Sequence, residues 1–170
     1  MKYSPGKVVS EAMLECSRRD AWNKVCFYEH ISIKPSLLLR IVLPVPQKTT
    51  GKCERIGDIS RCCYSDGGYL TKRIREIVEN ERIDFGIIEQ SIRFHRSVKL
   101  LGGHIALEDA DNGRCVVRMV THYKTSLKPV RPFHWAIARV VKAMHSIVIK
   151  DMQVCLGRES HASDTVQLPV

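Results

Sequence analysis

Two periodicities divide the chain. From Val8 onward apolar side chains mostly alternate with polar ones, as in half-buried strands; from Pro132 to Leu156 they recur every three or four residues, as in a helix. In that last stretch Ile137, Val140, Val141, Met144, Val148, Met152 and Cys155 share one helical face. Arg139, Lys142, Ser146, Lys150 and Gln153 fall on the other. Pro132 suits a first helical turn, where its missing N–H costs nothing, and Gly157 suits the stop.

Val8–Cys16 predicts the first strand, with Val8, Ser10, Ala12, Leu14 and Cys16 on one face and Glu11 and Glu15 on the other. Ser17 is the expected N-cap of a helix running through Arg18, Ala21, Trp22, Val25 and Phe27. A second short helix is expected between Glu29 and Leu43. Pro44, Pro46 and the polar run Gln47–Gly51 read as a loop. Further strands are expected at Cys53–Ile56, Ile59–Tyr64, Tyr69–Val78, Arg82–Glu89, Lys99–Glu108 and Cys115–Tyr123, which with the first makes seven. Ser65–Gly68 and Asp109–Gly113 carry the residues of hairpin loops. The pattern predicts one α+β domain over residues 1–157, an antiparallel sheet gripping a long C-terminal helix, and a loose tail over 158–170.

Strict alternation assigns faces to the strands. Leu70, Lys72, Ile74, Glu76 and Val78 share one; so do Ile83, Phe85, Ile87 and Glu89; so do Leu101, Gly103, Ile105 and Leu107; so do Cys115, Val117, Met119, Thr121 and Tyr123. Lys72, Glu76, Glu89, Thr121 and Tyr123 thus fall among apolar neighbours. An inward Lys72 is expected to pair with Glu76 or Glu89, since an unpaired interior charge is costly. His145 lies beside Val141, Val148 and Met152 on the helix, where it could serve as acid, base or hydrogen-bond donor, or simply be a satisfied interior side chain. His104 is expected to face out. A cavity between sheet and helix is predicted to be lined by Lys72, Glu76, Phe85, Ile87, Glu89, Met119, Thr121, Tyr123, Met144, His145, Val148 and Met152.

Charge and cysteine content narrow the classes. Twenty-seven basic and 18 acidic side chains give a net charge of +9, an electrostatic attraction to anionic partners. The basic residues are dispersed and carry no aromatic interleaving, so nucleic-acid binding is not expected. Seven cysteines, Cys16, Cys26, Cys53, Cys62, Cys63, Cys115 and Cys155, form no Cys-x-x-Cys pair and no zinc spacing. They read as reduced, mainly structural thiols, with Cys62 and Cys63 facing opposite sides of a strand. His30, His95 and His122 have no metal-ligand spacing, and there is no Ser-His-Asp order or phosphate-binding glycine loop. No metal or cofactor is expected. With no membrane-length apolar run and no leader-like N-terminus, the expected location is the cytoplasm.

The order strand, helix pair, six strands and long C-terminal helix resembles the START-like (SRPBCC) superfamily, above all its polyketide cyclase/dehydrase and lipid-transport branch. The segments that carry the resemblance are Ala21–His30, Ile56–Tyr64 with Gly68–Ile74, Phe85–Gln90, Leu101–Leu107, Val120–Tyr123 and the helix containing His145, so that it covers about residues 8 to 156. It implies a helix-grip fold around an apolar cavity, in which members bind lipids, sterols, polyketides or hormones and a minority catalyse cyclisation or dehydration. Three functions follow as expectations, in this order. The first is binding or transport of a hydrophobic small molecule. The second is a metal-free cyclase/dehydratase in which His145 or Glu89 removes a proton and Tyr123 or Lys72 stabilises the enolate oxygen. The third is an interaction protein working through its basic surface.

Overall fold

A computed structural model describes residues 3–25, 27, 46–92 and 95–164, with side chains described as far as Gly157. Seven strands form one antiparallel sheet: β1 (Ser4–Leu14), β2 (Pro46–Gly51), β3 (Ile59–Tyr64), β4 (Tyr69–Val78), β5 (Arg82–Ser91), β6 (Val98–Asp109) and β7 (Cys115–Thr125), in the spatial order β1-β7-β6-β5-β4-β3-β2. Helix α1 (Arg18–Trp22) follows β1, and helix α2 (Val130–Asp164) packs against β1 and β7. This is the helix-grip arrangement.

Four elements differ from the sequence reading. The expected loop at Gln47–Gly51 is strand β2, recruited by backbone pairing to β3 although it has no apolar alternation. The expected strand at Cys53–Ile56 is the irregular connection after it. Helix α2 runs past Gly157, where a stop was expected, to Asp164. Ser17 does cap α1, its Oγ accepting from Asp20 N at 3.2 Å, but that helix ends at Trp22 rather than near Phe27. The second short helix falls outside the described residues.

Both periodicities correctly predict most of the packing. Val141, Val148 and Met152 of α2 are buried, while Arg139, Lys142, Ser146, Lys150 and Gln153 are exposed. On β7, Val117, Met119, Thr121 and Tyr123 are buried. Arg118 lies on the opposite face, holding Glu11 at 2.6 Å and Glu108 at 2.8 Å. The main core joins Leu14, Ile74, Ile105, Leu107, Val117, Val148, Ile149 and Met152. Cys62 is buried and Cys63 half-buried, as alternation requires. Burial, with Cys16 adjacent, pushes the Cys115 thiol up to about 12, which leaves it protonated and unreactive.

Besides the register shift at the start of β2, three shifts interrupt alternation, and they decide which side chains face inward. Between Ile74 and Glu76 one extra residue, Arg75, enters β4. Glu76 consequently faces solvent, and Ile77 takes its place against the core. Between the pairs Thr71–Glu89 and Lys72–Ile87 the extra residue is Ile88 of β5, which turns Glu89 outward. On β6 Leu101 is the extra residue, with Gly102 at φ +119 beside it. Leu100, not Leu101, therefore faces in. Each is a β-bulge, which reverses the face of every residue on one side of it.

Candidate functional site

The bulged halves of β4, β5 and β6 line a cavity of about 110 Å³ that α2 closes. Leu70 and Lys72 of β4, Phe85 and Ile87 of β5, Leu100 and Ile105 of β6, and Met119 and Thr121 of β7 line its sheet side. Met144, His145 and Val148 close it from the helix, with Phe27, Tyr64 and Ile92 at its borders. The wall is mostly hydrocarbon, which favours an apolar occupant over water.

Of the twelve residues expected to line this space, eight do: Lys72, Phe85, Ile87, Met119, Thr121, Met144, His145 and Val148. Glu76 and Glu89 do not, because the bulges turn them to solvent. Glu89 accepts from the Tyr69 hydroxyl at 2.7 Å and lies 3.9 Å from Arg61 on the outer surface. Met152 is consumed by the main core. Tyr123 packs with Val8 and Val141 beside the cavity, its hydroxyl 2.8 Å from His134 Nδ1. The expected pairing of Lys72 with Glu76 or Glu89 is therefore not made. Lys72 is 3% exposed, and its Nζ lies 3.8 Å from the centroid of the Phe27 ring and 5.6 Å from that of Phe85. The negative faces of these rings stabilise the cation where the hydrocarbon wall would not.

His145 is equally deep, at 1% exposed. Its Nε2 lies 2.9 Å from Thr121 Oγ1 and its Nδ1 lies 2.9 Å from Ser10 Oγ. A neutral imidazole matches two hydroxyls, donating to one and accepting from the other. Burial pushes its pKa down to about 4, so the ring is uncharged at neutral pH and its acceptor nitrogen is occupied. Ser10 was already visible in the sequence as a polar residue on the apolar parity of β1. Leu100 was hidden by the bulge at Leu101, and His134 by the absence of any spacing that joins it to Tyr123.

One border of the cavity is a break in the sheet. The β5–β6 ladder runs from Arg82–Ala106 to Gly86–Gly102 and goes no further among the described residues. Beyond it the side chain of Gln90 bridges the two strands, Nε2 donating to Val98 O and Oε1 accepting from Leu100 N, both at 2.8 Å. Ile87, Ile92 and Leu100 lie around this break.

No family model matches the chain, and no curated protein sequence does. Solved structures do. Norcoclaurine synthase from Thalictrum flavum, in complex with dopamine and hydroxybenzaldehyde, is similar over 87% of this chain and 88% of that one, at 14% identity and a TM-score of 0.54. The major latex-like protein 151 of Panax ginseng is similar over 88% and 96%, at 14% identity and 0.57. A protein from Nitrosospira multiformis is similar over 88% and 94%, at 10% identity and 0.60. The chain shares the helix-grip fold of these structures. At these identities the likeness concerns the backbone, and the side chains of the cavity must speak for the function themselves. Among the described residues no three His, Cys, Asp or Glu side chains cluster as metal ligands, and no helix is long and apolar enough to cross a membrane.

Proposed function

We propose that the protein binds a small hydrophobic molecule between its sheet and helix α2. The observation that carries this reading is the cavity of about 110 Å³, walled by Phe85, Ile87, Leu100, Met119, Met144 and Val148, with Lys72 as its charged side chain. Space of this order takes about one ring-sized group. Of the lipid, polyketide and aromatic classes, it favours an aromatic compound, or a longer chain inserted by one end. Apolar burial supplies the drive, roughly 25 cal/mol per Å² before ordering costs, and Lys72 orients an electron-rich end of the ligand. The fold it shares with a synthase that holds two aromatic molecules in its complex is compatible with this choice.

The cyclase/dehydratase reading has less support. Its two candidate bases do not converge on the cavity: Glu89 lies on the outer surface with Tyr69, and His145 already serves two hydroxyls. A cytoplasmic location goes with this proposal, and the free thiols of Cys16, Cys53, Cys62, Cys63, Cys115 and Cys155 are compatible with a reducing compartment.

The test is denaturing mass spectrometry of the purified protein for a released compound, coupled to titration with the apolar fluorophore 1-anilinonaphthalene-8-sulfonate. Saturable binding that Met144→Trp weakens supports the reading. No released compound and no saturable binding refute it.

A further inference from the structure

We infer that the end of the molecule where β1 and β6 begin, β7 ends and α2 starts is a docking surface for an anionic lipid bilayer. Register places these termini together, since Ser4 and Val98 both pair with Thr125. Side chains hold them there: Tyr3 Oη donates to Arg96 O at 2.9 Å, and His134 Nε2 lies 3.2 Å from Ser4 Oγ.

Charge is distributed one way at this end. The described stretches that build it, residues 3–10, 95–104 and 120–142, contain no Asp or Glu. Arg96, Lys99, Lys128, Arg131 and Arg139 are exposed on it. Trp135, in the first turns of α2, is 63% exposed, and Val130 is 39% exposed nearby. An indole left in water at the rim of a basic surface is the arrangement that suits a headgroup layer, where the ring meets hydrocarbon and the N–H meets water.

The aromatic geometry favours lipid over nucleic acid. The Tyr3 ring is approached by Lys99 Nζ at 5.3 Å and Lys124 Nζ at 5.4 Å, and Arg139 lies 4.9 Å from the centroid of Trp135. Cations thus occupy positions over the rings that a stacked base needs. The same cations bring the rings to a phosphate layer. Each basic side chain at an anionic surface multiplies binding by about five-fold, so that three together contribute about a hundred-fold. The inference is independent of what the cavity holds.

Flotation with phosphatidylserine–phosphatidylcholine vesicles, compared with pure phosphatidylcholine vesicles and with a duplex RNA, tests it. Binding to the anionic vesicles alone is expected, with a loss of about a hundred-fold in Lys99→Gln/Arg131→Gln/Arg139→Gln. Lys52→Gln/Arg55→Gln/Arg114→Gln removes the same charge from the other end of the sheet and should leave binding within about five-fold of the parent protein. In a Trp22→Phe background the remaining fluorescence, from Trp135, should shift to the blue on adding anionic vesicles. Circular dichroism establishes that each variant is folded. Absence of vesicle binding, equal loss in the two triple variants, an unshifted Trp135 emission, or tighter binding to RNA than to vesicles would overturn the inference.

Discussion

The carboxamide of Gln90 stands in for a rung of the sheet opposite Leu100, accepting the Leu100 amide proton at 2.8 Å while donating to the carbonyl of Val98. Backbone pairing between β5 and β6 has ended at Gly86–Gly102, so a side chain satisfies what the ladder does not. The strands can therefore diverge and border a cavity without stranding polar groups in its wall.

Gln90→Leu retains much of the volume and removes both bonds. It should cost about 2 kcal/mol, as expected when partly buried backbone groups lose their partners. Urea unfolding measures the loss, and faster hydrogen exchange at the Leu100 amide locates it.

His145 predicts a pH dependence of stability. In the folded protein it stays neutral down to about pH 4, against an ordinary value of 6.5. Between those values the unfolded chain binds the proton and the folded one does not, so stability falls with pH. The contribution is complete above pH 6.5, is lost progressively towards pH 4, and amounts to about 3 kcal/mol across that window. Urea midpoints measured through the window should show this slope, and His145→Asn should flatten it.

Glu76 and Glu89 face solvent despite their apolar parity. Glu76→Gln and Glu89→Gln should each leave fluorophore affinity unchanged within about two-fold, a difference of roughly 0.4 kcal/mol. A ten-fold loss in either variant would place that carboxylate at the cavity after all.

Met144 offers a change in either direction. Met144→Trp should fill the cavity and weaken fluorophore binding at least about ten-fold, or 1.4 kcal/mol. Met144→Ala should enlarge the cavity and cost about 2 kcal/mol of stability, at the low end for a methionine because the side chain is only partly buried. Fluorescence titration and urea unfolding of the two variants separate these effects.

Gly6 lies under the ring of Tyr123, and a Cβ there would collide with that ring. Gly6→Ala should displace the ring, disturb its 2.8 Å hydrogen bond with His134, and destabilise the protein by about 1–3 kcal/mol. Its thermal midpoint should fall, whereas Gly57→Ala, where nothing lies close to the new Cβ, separates out the cost of a positive φ alone.

The residues themselves determined the fold class, most of the strands and the buried face of α2, because each rests on a local period. Val141, Val148 and Met152 must share a helical face whatever surrounds them, and Val117, Met119 and Thr121 must share a strand face. Tertiary structure alone decided where the period breaks. Arg75, Ile88 and Leu101 are bulged residues because of how neighbouring strands pair, and nothing in their own side chains announces it. Those breaks expel Glu76 and Glu89, where burial of a carboxylate would be costly, and bring in Leu100. Strand β2 likewise exists through pairing with β3 rather than through any pattern of its own. Lys72 and His145 were both legible as polar residues on apolar faces. Their partners, the Phe27 ring for one and Ser10 with Thr121 for the other, came only from bringing distant segments together, because a hydrogen bond or a cation over a ring depends on distance in space and not along the chain.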